Sequence, residues 1–160
     1  MNKAPASVWQ NPIHFFAFGL GSGASPWAPG TVGTLAAVPL YFIMAGLSLP
    51  FYILVLVVTF VIGCWLCERT SEDLGVHDHS GIVWDEFVGY WLTMLALPVS
   101  WQWALAGFVV FRFFDIIKPW PIRWADRRVA GGFGIMLDDV LAAVYAGGCL
   151  HLAKFFIDSL

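Results

Sequence analysis

Between Ala4 and Cys67 the chain contains no Asp, Glu, Lys or Arg, and this charge-free stretch restricts the fold more than any other feature. Its later part consists of two apolar runs, residues 35–49 and 51–67, with a break at Pro50. Each run approaches the roughly 20 residues that a helix needs to cross the hydrocarbon core of a bilayer. Over the whole chain only 12% of residues are charged, whereas soluble domains average about 25%. So few charges cannot cover a water-facing surface. We therefore predict an integral membrane protein whose two apolar runs form a helical hairpin.

A further charge-free run, residues 87–111, leaves two topologies open. It is interrupted by Pro98, Ser100 and Gln102, so it forms either one tilted span or two short segments. Two segments would bring the flanking polar regions to one face, and we favour them because acidic groups beside hydrocarbon would otherwise lack partners. With a last apolar helix from about Val140, the expected fold class is all-α. We expect a compact helical membrane protein of about four to five apolar helices in a single domain.

The distribution of charge indicates an orientation and excludes one class of partner. Residues 112–139 hold five Lys and Arg side chains, the densest positive cluster in the chain. Because positive loops favour the cytoplasmic side, the motif loops are expected to gather on the cytoplasmic face. The formal net charge of −3 gives no bulk attraction to nucleic acid. Residues 1–12 lack the pattern of a cleaved signal peptide, so the apolar segments themselves are expected to direct the chain to the membrane.

Acidic side chains adjoin the apolar segments at three places. Asp78, Asp85 and Glu86 precede the third run, Asp115 follows it, and Asp138 and Asp139 precede the last apolar helix. Carboxylates next to hydrocarbon are costly unless they are paired, hydrated or bound to a metal, and carboxylate oxygens are the ligands of hard cations. The alternative is that these groups only stabilise helix N-termini, through the helix dipole or as a cap. Their number favours a divalent metal site.

Two cations accompany Asp115 at helical spacing. Arg112, Asp115 and Lys118 recur every three residues, so on a helix they share one side, and Pro119 and Pro121 end that helix. One interpretation is a salt-bridge ladder at the membrane interface, with the Lys side chain reaching toward water. The other is a metal-binding Asp between two cations that hold a phosphate group.

Two glycine-rich segments could approach a phosphate closely. Residues 18–34 are rich in Gly, Pro, Ser and Thr, which predicts a loop whose backbone amides and hydroxyls, including those of Thr31 and Thr34, donate to phosphate oxygens. An ordinary turn before a helix is the alternative, and no P-loop signature is present. Gly131, Gly132 and Gly134 predict a flexible entry to the last helix.

The cysteine and histidine residues give weaker signals. Cys64 and Cys67 form a C-x-x-C pair inside an apolar run, without a second pair of metal ligands. We interpret them as small apolar residues one helical turn apart. His14 is expected to be structural, and the roles of His77 and His79 stay open.

Four segments together resemble the phosphatidylglycerophosphatase A family, in the family's order and with compatible spacing. They are SPWAPGTVGTL at 25–35, GIVWDEFVG at 81–89, FRFFDIIKPWPI at 111–122 and GGFGIMLDDVLAAVYA at 131–146. The resemblance implies a mostly helical enzyme of the bacterial cell inner membrane that needs Mg²⁺. It also implies removal of the terminal phosphate of phosphatidylglycerophosphate to give phosphatidylglycerol. The expected partners are this phospholipid and the lipid bilayer, and homo-oligomerisation is left open.

The resemblance implies that the motif residues carry out metal-assisted hydrolysis of a phosphomonoester. The expected Mg²⁺ ligands are Glu86, Asp115, Asp138 and Asp139, with Asp85 as a further ligand or a general base. Arg112 and Lys118 would bind the phosphate, and Lys118 is also expected to be catalytic. Thr31 and Thr34 would donate further hydrogen bonds to the phosphate oxygens. The expected site lies at headgroup depth on the cytoplasmic side, because the acyl chains stay in the bilayer.

Two alternative functions come from other classes of membrane protein. A CDP-alcohol phosphotransferase also uses intramembrane acids and Mg²⁺, but its D-x-x-D-G-x-x-A-R pattern is missing from this chain. A cation carrier would need acidic groups in mid-span, whereas here they cluster at the ends of the apolar segments.

Overall fold

A computed structural model describes residues 4–159, and within these residues the chain is helical and contains no strand. Short 3₁₀ helices occur at Ala6–Trp9 and Ser22–Ala24. The α-helices are α1 (Pro12–Ala17), α2 (Pro29–Met44), α3 (Leu49–Leu74), α4 (Trp84–Thr93), α5 (Trp101–Ile117), α6 (Ile122–Arg128) and α7 (Gly131–Asp158). The prediction of an all-α fold is therefore confirmed for the described part of the chain.

Helix α2 begins earlier than the sequence predicted. Pro29 opens the helix, a position that suits proline because its missing N–H would have no partner in the first turn. The predicted loop at residues 18–34 is wrong for its last part, since Gly30, Thr31 and Thr34 lie in α2. A Gly-rich composition favours a loop locally, but in this segment the helix is stabilised by packing against α4 and α5.

Helix α3 follows the prediction for the second apolar run. It begins at Leu49, next to the expected break at Pro50, and continues through the polar residues to Leu74. Gly75 ends it in the left-handed conformation with φ 66°, which glycine adopts without strain.

The third apolar run forms two helices. Helix α4 ends at Thr93 and α5 begins at Trp101, so the break falls where Pro98 and Ser100 interrupt the run. Ser100 caps α5 by accepting a hydrogen bond from the Trp103 N–H. The favoured two-segment topology is confirmed, and it returns the chain to the side of the molecule where α4 begins.

The last helix starts well before the predicted Val140. Helix α7 begins at Gly131, which has φ 78°, and Gly132 and Gly134 lie closely packed in the helix, so the prediction that these glycines precede the helix is wrong. A Cβ atom on Gly132 would lie 1.9 Å from the Cys64 carbonyl oxygen. The Glu68 carboxylate of α3 accepts a hydrogen bond from the Gly132 N–H, which satisfies one free donor of the helix N-terminus. Glycine therefore lets α7 pack directly on α3.

Helix α7 is the centre of the fold, in contact with α3, α4, α5 and α6. Buried polar groups also join the helices in pairs. The Tyr52 hydroxyl donates to the Trp91 carbonyl oxygen at 2.8 Å, the Trp91 indole donates to the Ala37 carbonyl oxygen at 3.0 Å, and the Tyr90 hydroxyl donates to the Ala104 carbonyl oxygen at 3.0 Å. These bonds connect α2, α3, α4 and α5, and each satisfies a buried donor that would otherwise be costly.

Two helices, α3 and α7, are long and apolar enough to cross a membrane, and α2 is a shorter apolar helix. The expected four to five apolar helices are not confirmed. In each long helix only 22% of the most apolar 18-residue stretch is buried. Neither helix is therefore the enclosed core helix of a water-soluble fold. Helix α3 exposes a continuous apolar face to its surroundings. This face consists of Phe51, Leu54, Val57, Val58, Val61, Ile62 and Trp65.

Candidate active site

Carboxylates from three distant segments meet at one end of the helical bundle. One oxygen from each of Asp85, Glu86 and Asp139 lies within 4.8 Å of the others, and the same holds for Asp115, Asp138 and Asp139. Asp139 belongs to both groups, so the five side chains form one continuous acidic cluster. The acidic residues of the three segments therefore lie together, as predicted.

Each helix contributes to the acidic cluster in a different way. Asp85 and Glu86 lie in the first turn of α4, where the helix dipole favours negative charge. Asp115 lies in the last turn of α5, and its side chain is buried. Asp138 and Asp139 lie two turns inside α7, so the interpretation of Asp138 as a helix cap is wrong. Because Asp138 and Asp139 are inside a packed helix, the backbone holds their positions rigidly.

Arg112 lies on one side of the acidic cluster. Its guanidinium donates hydrogen bonds to Asp115, one helical turn away, and to Glu86 at 3.4 Å. This second contact joins α5 to α4 across the hairpin. The sequence predicted Arg112, Asp115 and Lys118 on one side of a helix. The contact of Arg112 with Asp115 confirms it for that pair, but it is wrong for Lys118, which lies outside α5.

Lys118 lies on the other side of the acidic cluster. Lys118 directly follows α5 and has the left-handed backbone conformation, with φ 47°. Its side chain therefore does not continue the helical spacing of Arg112 and Asp115. Its ammonium group donates to Asp138 at 2.5 Å and to Asp126 of α6 at 2.6 Å. Burial lowers the pKa of Lys118, but the Asp138 and Asp126 carboxylates outweigh burial and raise this pKa above its usual range. Lys118 is therefore charged.

The acidic cluster contains more carboxylate oxygens than it has hydrogen-bond donors. Asp85 Oδ1, Glu86 Oε2 and Asp139 Oδ2 are buried and lack a hydrogen-bond partner among residues 4–159. Burial raises the pKa of Glu86 to about 7. Burial, followed by the charges of Glu86 and Asp139, raises the pKa of Asp85 well above its usual range. Both shifts come first from burial, which disfavours the charged carboxylates, and a bound cation would favour their charged forms.

The cluster forms one wall of an open cleft of about 340 Å³. The start of α2 forms the opposite wall through Ala28, Pro29 and Gly30. A Cβ atom on Gly30 would lie 2.2 Å from Glu86 Oε1 and 3.0 Å from both terminal nitrogens of Arg112. Gly30 therefore leaves the space in which the Glu86 and Arg112 side chains meet.

The two predicted threonines do not line this cleft. Thr34 is fully buried, and its hydroxyl donates to the Gly30 carbonyl oxygen at 2.8 Å. Thr31 lies in the first turns of α2 and is not among the residues of the cleft wall. The segment 25–35 thus reaches the cleft through Ala28, Pro29 and Gly30. Phosphate binding by Thr31 and Thr34 stays a prediction.

Asp78 and Gly30 line the cleft, although neither was predicted as a site residue and Asp78 was noted only as a member of the first acidic group. Asp78 is exposed and lies in the loop before α4. The acidic composition of residues 68–86 was the only signal for Asp78. For Gly30 no local signal distinguishes a glycine that makes room for a facing carboxylate from a glycine in a turn.

The histidine and cysteine interpretations agree with their surroundings. His14 is buried and contacts Asp73 of α3 at 3.2 Å, as a structural residue does. His77 and His79 both accept hydrogen bonds from backbone N–H groups, of Gly131 and Gly81 respectively. Cys64 and Cys67 are free thiols.

Comparison with known proteins gives one family. The family model for phosphatidylglycerophosphatase A matches residues 15–154. A phosphatidylglycerophosphatase A of Escherichia coli (strain K12) is 54% identical over 142 residues, which are 88% of this chain and 83% of the relative. The protein of that name in Haemophilus influenzae is 53% identical over 138 residues, or 85% of each chain.

A third relative carries a different name. A Bacteroides thetaiotaomicron protein with the provisional name phosphatidylinositol-3-phosphatase is 41% identical over 147 residues, which are 87% of this chain and 91% of the relative. No solved structure matches the chain.

Proposed function

Because the chain belongs to the phosphatidylglycerophosphatase A family, we propose that it hydrolyses the terminal phosphate of phosphatidylglycerophosphate with the acidic cluster and Mg²⁺. The activity is that of a phosphoric monoester hydrolase in phospholipid metabolism. The observation that supports the cluster as its site is the meeting of five carboxylates from α4, α5 and α7 between Arg112 and Lys118.

The donor set fits a hard cation. Every candidate ligand atom in the cluster is a carboxylate oxygen, which Mg²⁺ prefers over nitrogen and sulfur. Within each of the two groups the candidate ligand atoms lie within 4.8 Å of one another, so they could approach a common ion. Glu86, Asp115, Asp138 and Asp139 would hold the ion, with Asp85 as a further ligand or as the base. When bound, Mg²⁺ neutralises phosphate charge and helps to orient a water molecule for in-line attack.

The side chains around the cluster have separate tasks in this proposal. Arg112 and Lys118 both line the cleft, so their donors can bind phosphate oxygens and stabilise the charge that develops on them. Asp85 Oδ1 is buried without a hydrogen-bond partner among residues 4–159, so it is placed to accept the proton of an attacking water. Gly30 leaves room at the cleft wall for the Glu86 carboxylate and the Arg112 guanidinium.

The site is proposed to lie at the cytoplasmic surface of the bacterial inner membrane. Exposed apolar faces on α3 and α7 suit hydrocarbon, and Arg123, Arg127 and Arg128 lie beside the acidic cleft, on the side expected to face the cytoplasm. A headgroup can then enter the cleft while the acyl chains stay in the bilayer.

Phosphate release from phosphatidylglycerophosphate by the detergent-solubilised protein tests the proposal. We expect release with Mg²⁺, none after EDTA treatment, and none from the Asp115→Asn variant. Asp158→Asn removes an exposed carboxylate at the far end of α7 and is the matched control, with activity unchanged. Wild-type activity in Asp115→Asn would refute the assigned site, and absence of release by the wild-type protein would refute the function.

The same assay with phosphatidylinositol 3-phosphate compares a second substrate. That lipid also carries a phosphomonoester on a glycerophospholipid headgroup, which is why the name of the Bacteroides relative is compatible with the same cluster. The higher identity to the two phosphatidylglycerophosphatases favours phosphatidylglycerophosphate. A higher kcat/KM for the inositol lipid would reverse that preference.

A further inference from the structure

A second cleft, of about 490 Å³, lies directly beside the acidic one. It is formed by the turn after α5 and by α6, and its charged residues are Lys118, Arg123, Arg127 and Arg128. Lys118 lines both clefts, so the two spaces meet at its side chain. We call this second space the basic cleft.

Within the described residues the arginines of the basic cleft lack acidic partners. Among residues 4–159, no carboxylate lies within ion-pair distance of Arg123, Arg127 or Arg128. The acid on the same helix, Asp126, pairs with Lys118 instead. Three uncompensated guanidinium groups around one cavity attract an anion, and their planar donor pairs match the oxygens of a phosphate.

The rim of the basic cleft has the character of a membrane interface. Trp120 is 79% exposed and Trp124 is 55% exposed, and both line the cavity. Tryptophan side chains of this kind collect at the level of lipid headgroups. The anion expected there is therefore part of a lipid rather than a free metabolite.

We propose that the basic cleft binds the phosphodiester of the same lipid whose terminal phosphate enters the acidic cleft. This inference rests on the proposed function, since phosphatidylglycerophosphate carries a phosphodiester and a phosphomonoester on one glycerol unit. The monoester goes to the acidic cluster, where a cation offsets its charge, and the diester goes to the arginines. Lys118, at the junction of the clefts, lies between the two phosphates. The basic cleft then makes the enzyme select a phosphomonoester that is attached to a phosphodiester.

Two water-soluble substrates separate this role from general attraction to anionic membranes. The deacylated headgroup glycerophosphoglycerophosphate contains both phosphates, whereas glycerol 3-phosphate contains only the monoester. The variants are Arg127→Gln and Arg128→Gln, chosen because neither side chain donates a hydrogen bond within the described protein. Arg69→Gln is the control, because Arg69 is an exposed arginine of α3 that pairs with Glu72.

For the wild-type protein we expect a higher kcat/KM with the deacylated headgroup than with glycerol 3-phosphate. Each cleft variant should lower kcat/KM for the deacylated headgroup by roughly tenfold, the usual effect of losing one charge-assisted hydrogen bond. It should lower kcat/KM for glycerol 3-phosphate much less, which also shows that the variant is folded. Arg69→Gln should change neither value.

Three outcomes would overturn the inference. An unchanged ratio of the two kcat/KM values in the cleft variants excludes a diester subsite. Loss of activity on lipid in anionic vesicles, with no loss on the deacylated headgroup, means that the arginines bind neighbouring lipids. A wild-type protein that hydrolyses none of these compounds refutes the proposed function and this inference with it, whereas an active wild type with unaffected variants refutes the inference alone.

Discussion

Replacing Gly30 with alanine should damage the site without damaging the fold. A Cβ atom at this position would lie 2.2 Å from Glu86 Oε1, and real contacts of this kind are not shorter than 3.0 Å. The Glu86 carboxylate must therefore move by roughly 1 Å, and a displacement of that size at a reacting centre costs about 100-fold in rate. Arg112, whose terminal nitrogens would lie 3.0 Å from the new methyl group, must adjust as well.

The same substitution should leave the free energy of unfolding nearly unchanged. The atom that must move is at the end of a flexible side chain, and alanine is a better helix former than glycine. Gly148→Ala is the matched control, because Gly148 also lies in a helix and its Cβ atom would contact nothing within 4 Å. The assay is kcat/KM for phosphatidylglycerophosphate together with the thermal midpoint of each purified variant. Wild-type kcat/KM in Gly30→Ala would refute the positioning of Glu86 by this contact, and a lowered midpoint would show that the backbone of α2 had moved instead.

Three further predictions test the acidic cluster and its surroundings. Asp139→Asn should reduce kcat/KM by at least about 100-fold, because Asp139 is shared by both groups of candidate ligands; a loss below tenfold would contradict that shared role. Dialysis against EDTA should abolish phosphate release and lower the thermal midpoint, and Mg²⁺ should restore both, since a ligand that binds only the folded state stabilises it; full activity after dialysis would exclude the metal. Thr34→Val should keep kcat/KM within about twofold and cost roughly 1 kcal/mol of stability, the value of one internal hydrogen bond; a large loss of activity with an unchanged midpoint would return Thr34 to phosphate binding.

Much of the candidate site could be predicted because its chemistry depends on residue types that can be read directly from the sequence. Asp115 and Asp139 adjoin apolar runs, where an unpaired carboxylate needs a compensating partner. The break at Pro98 and Ser100 also favoured two segments, which is the condition for α4 and α5 to bring Glu86 and Arg112 together. In both cases a pattern of neighbouring residues restricted the structures that the chain could adopt.

The glycine-rich segments were harder to predict. Gly30 and Gly132 have the same local composition as loop residues, yet both lie in helices, where the missing side chain admits an atom of another helix. Composition indicates which backbone conformations a segment can adopt. It does not indicate which atom from elsewhere in the chain will pack against that segment. For that reason the start of α7 was predicted wrongly, and the inward direction of the Thr34 side chain could not be predicted.

From its sequence alone this protein is a helical chain with too few charges for a water-facing surface, with acidic and basic groups at the ends of its apolar segments. These properties depend on residue type and on spacing along the chain, so they need no knowledge of the fold. The packing of α4, α5 and α7 decided that five carboxylates form one cluster, that Lys118 joins two clefts, and that Thr34 faces inward. Distances between residues far apart in the chain depend on how the helices pack against each other, and only the tertiary structure contains that information.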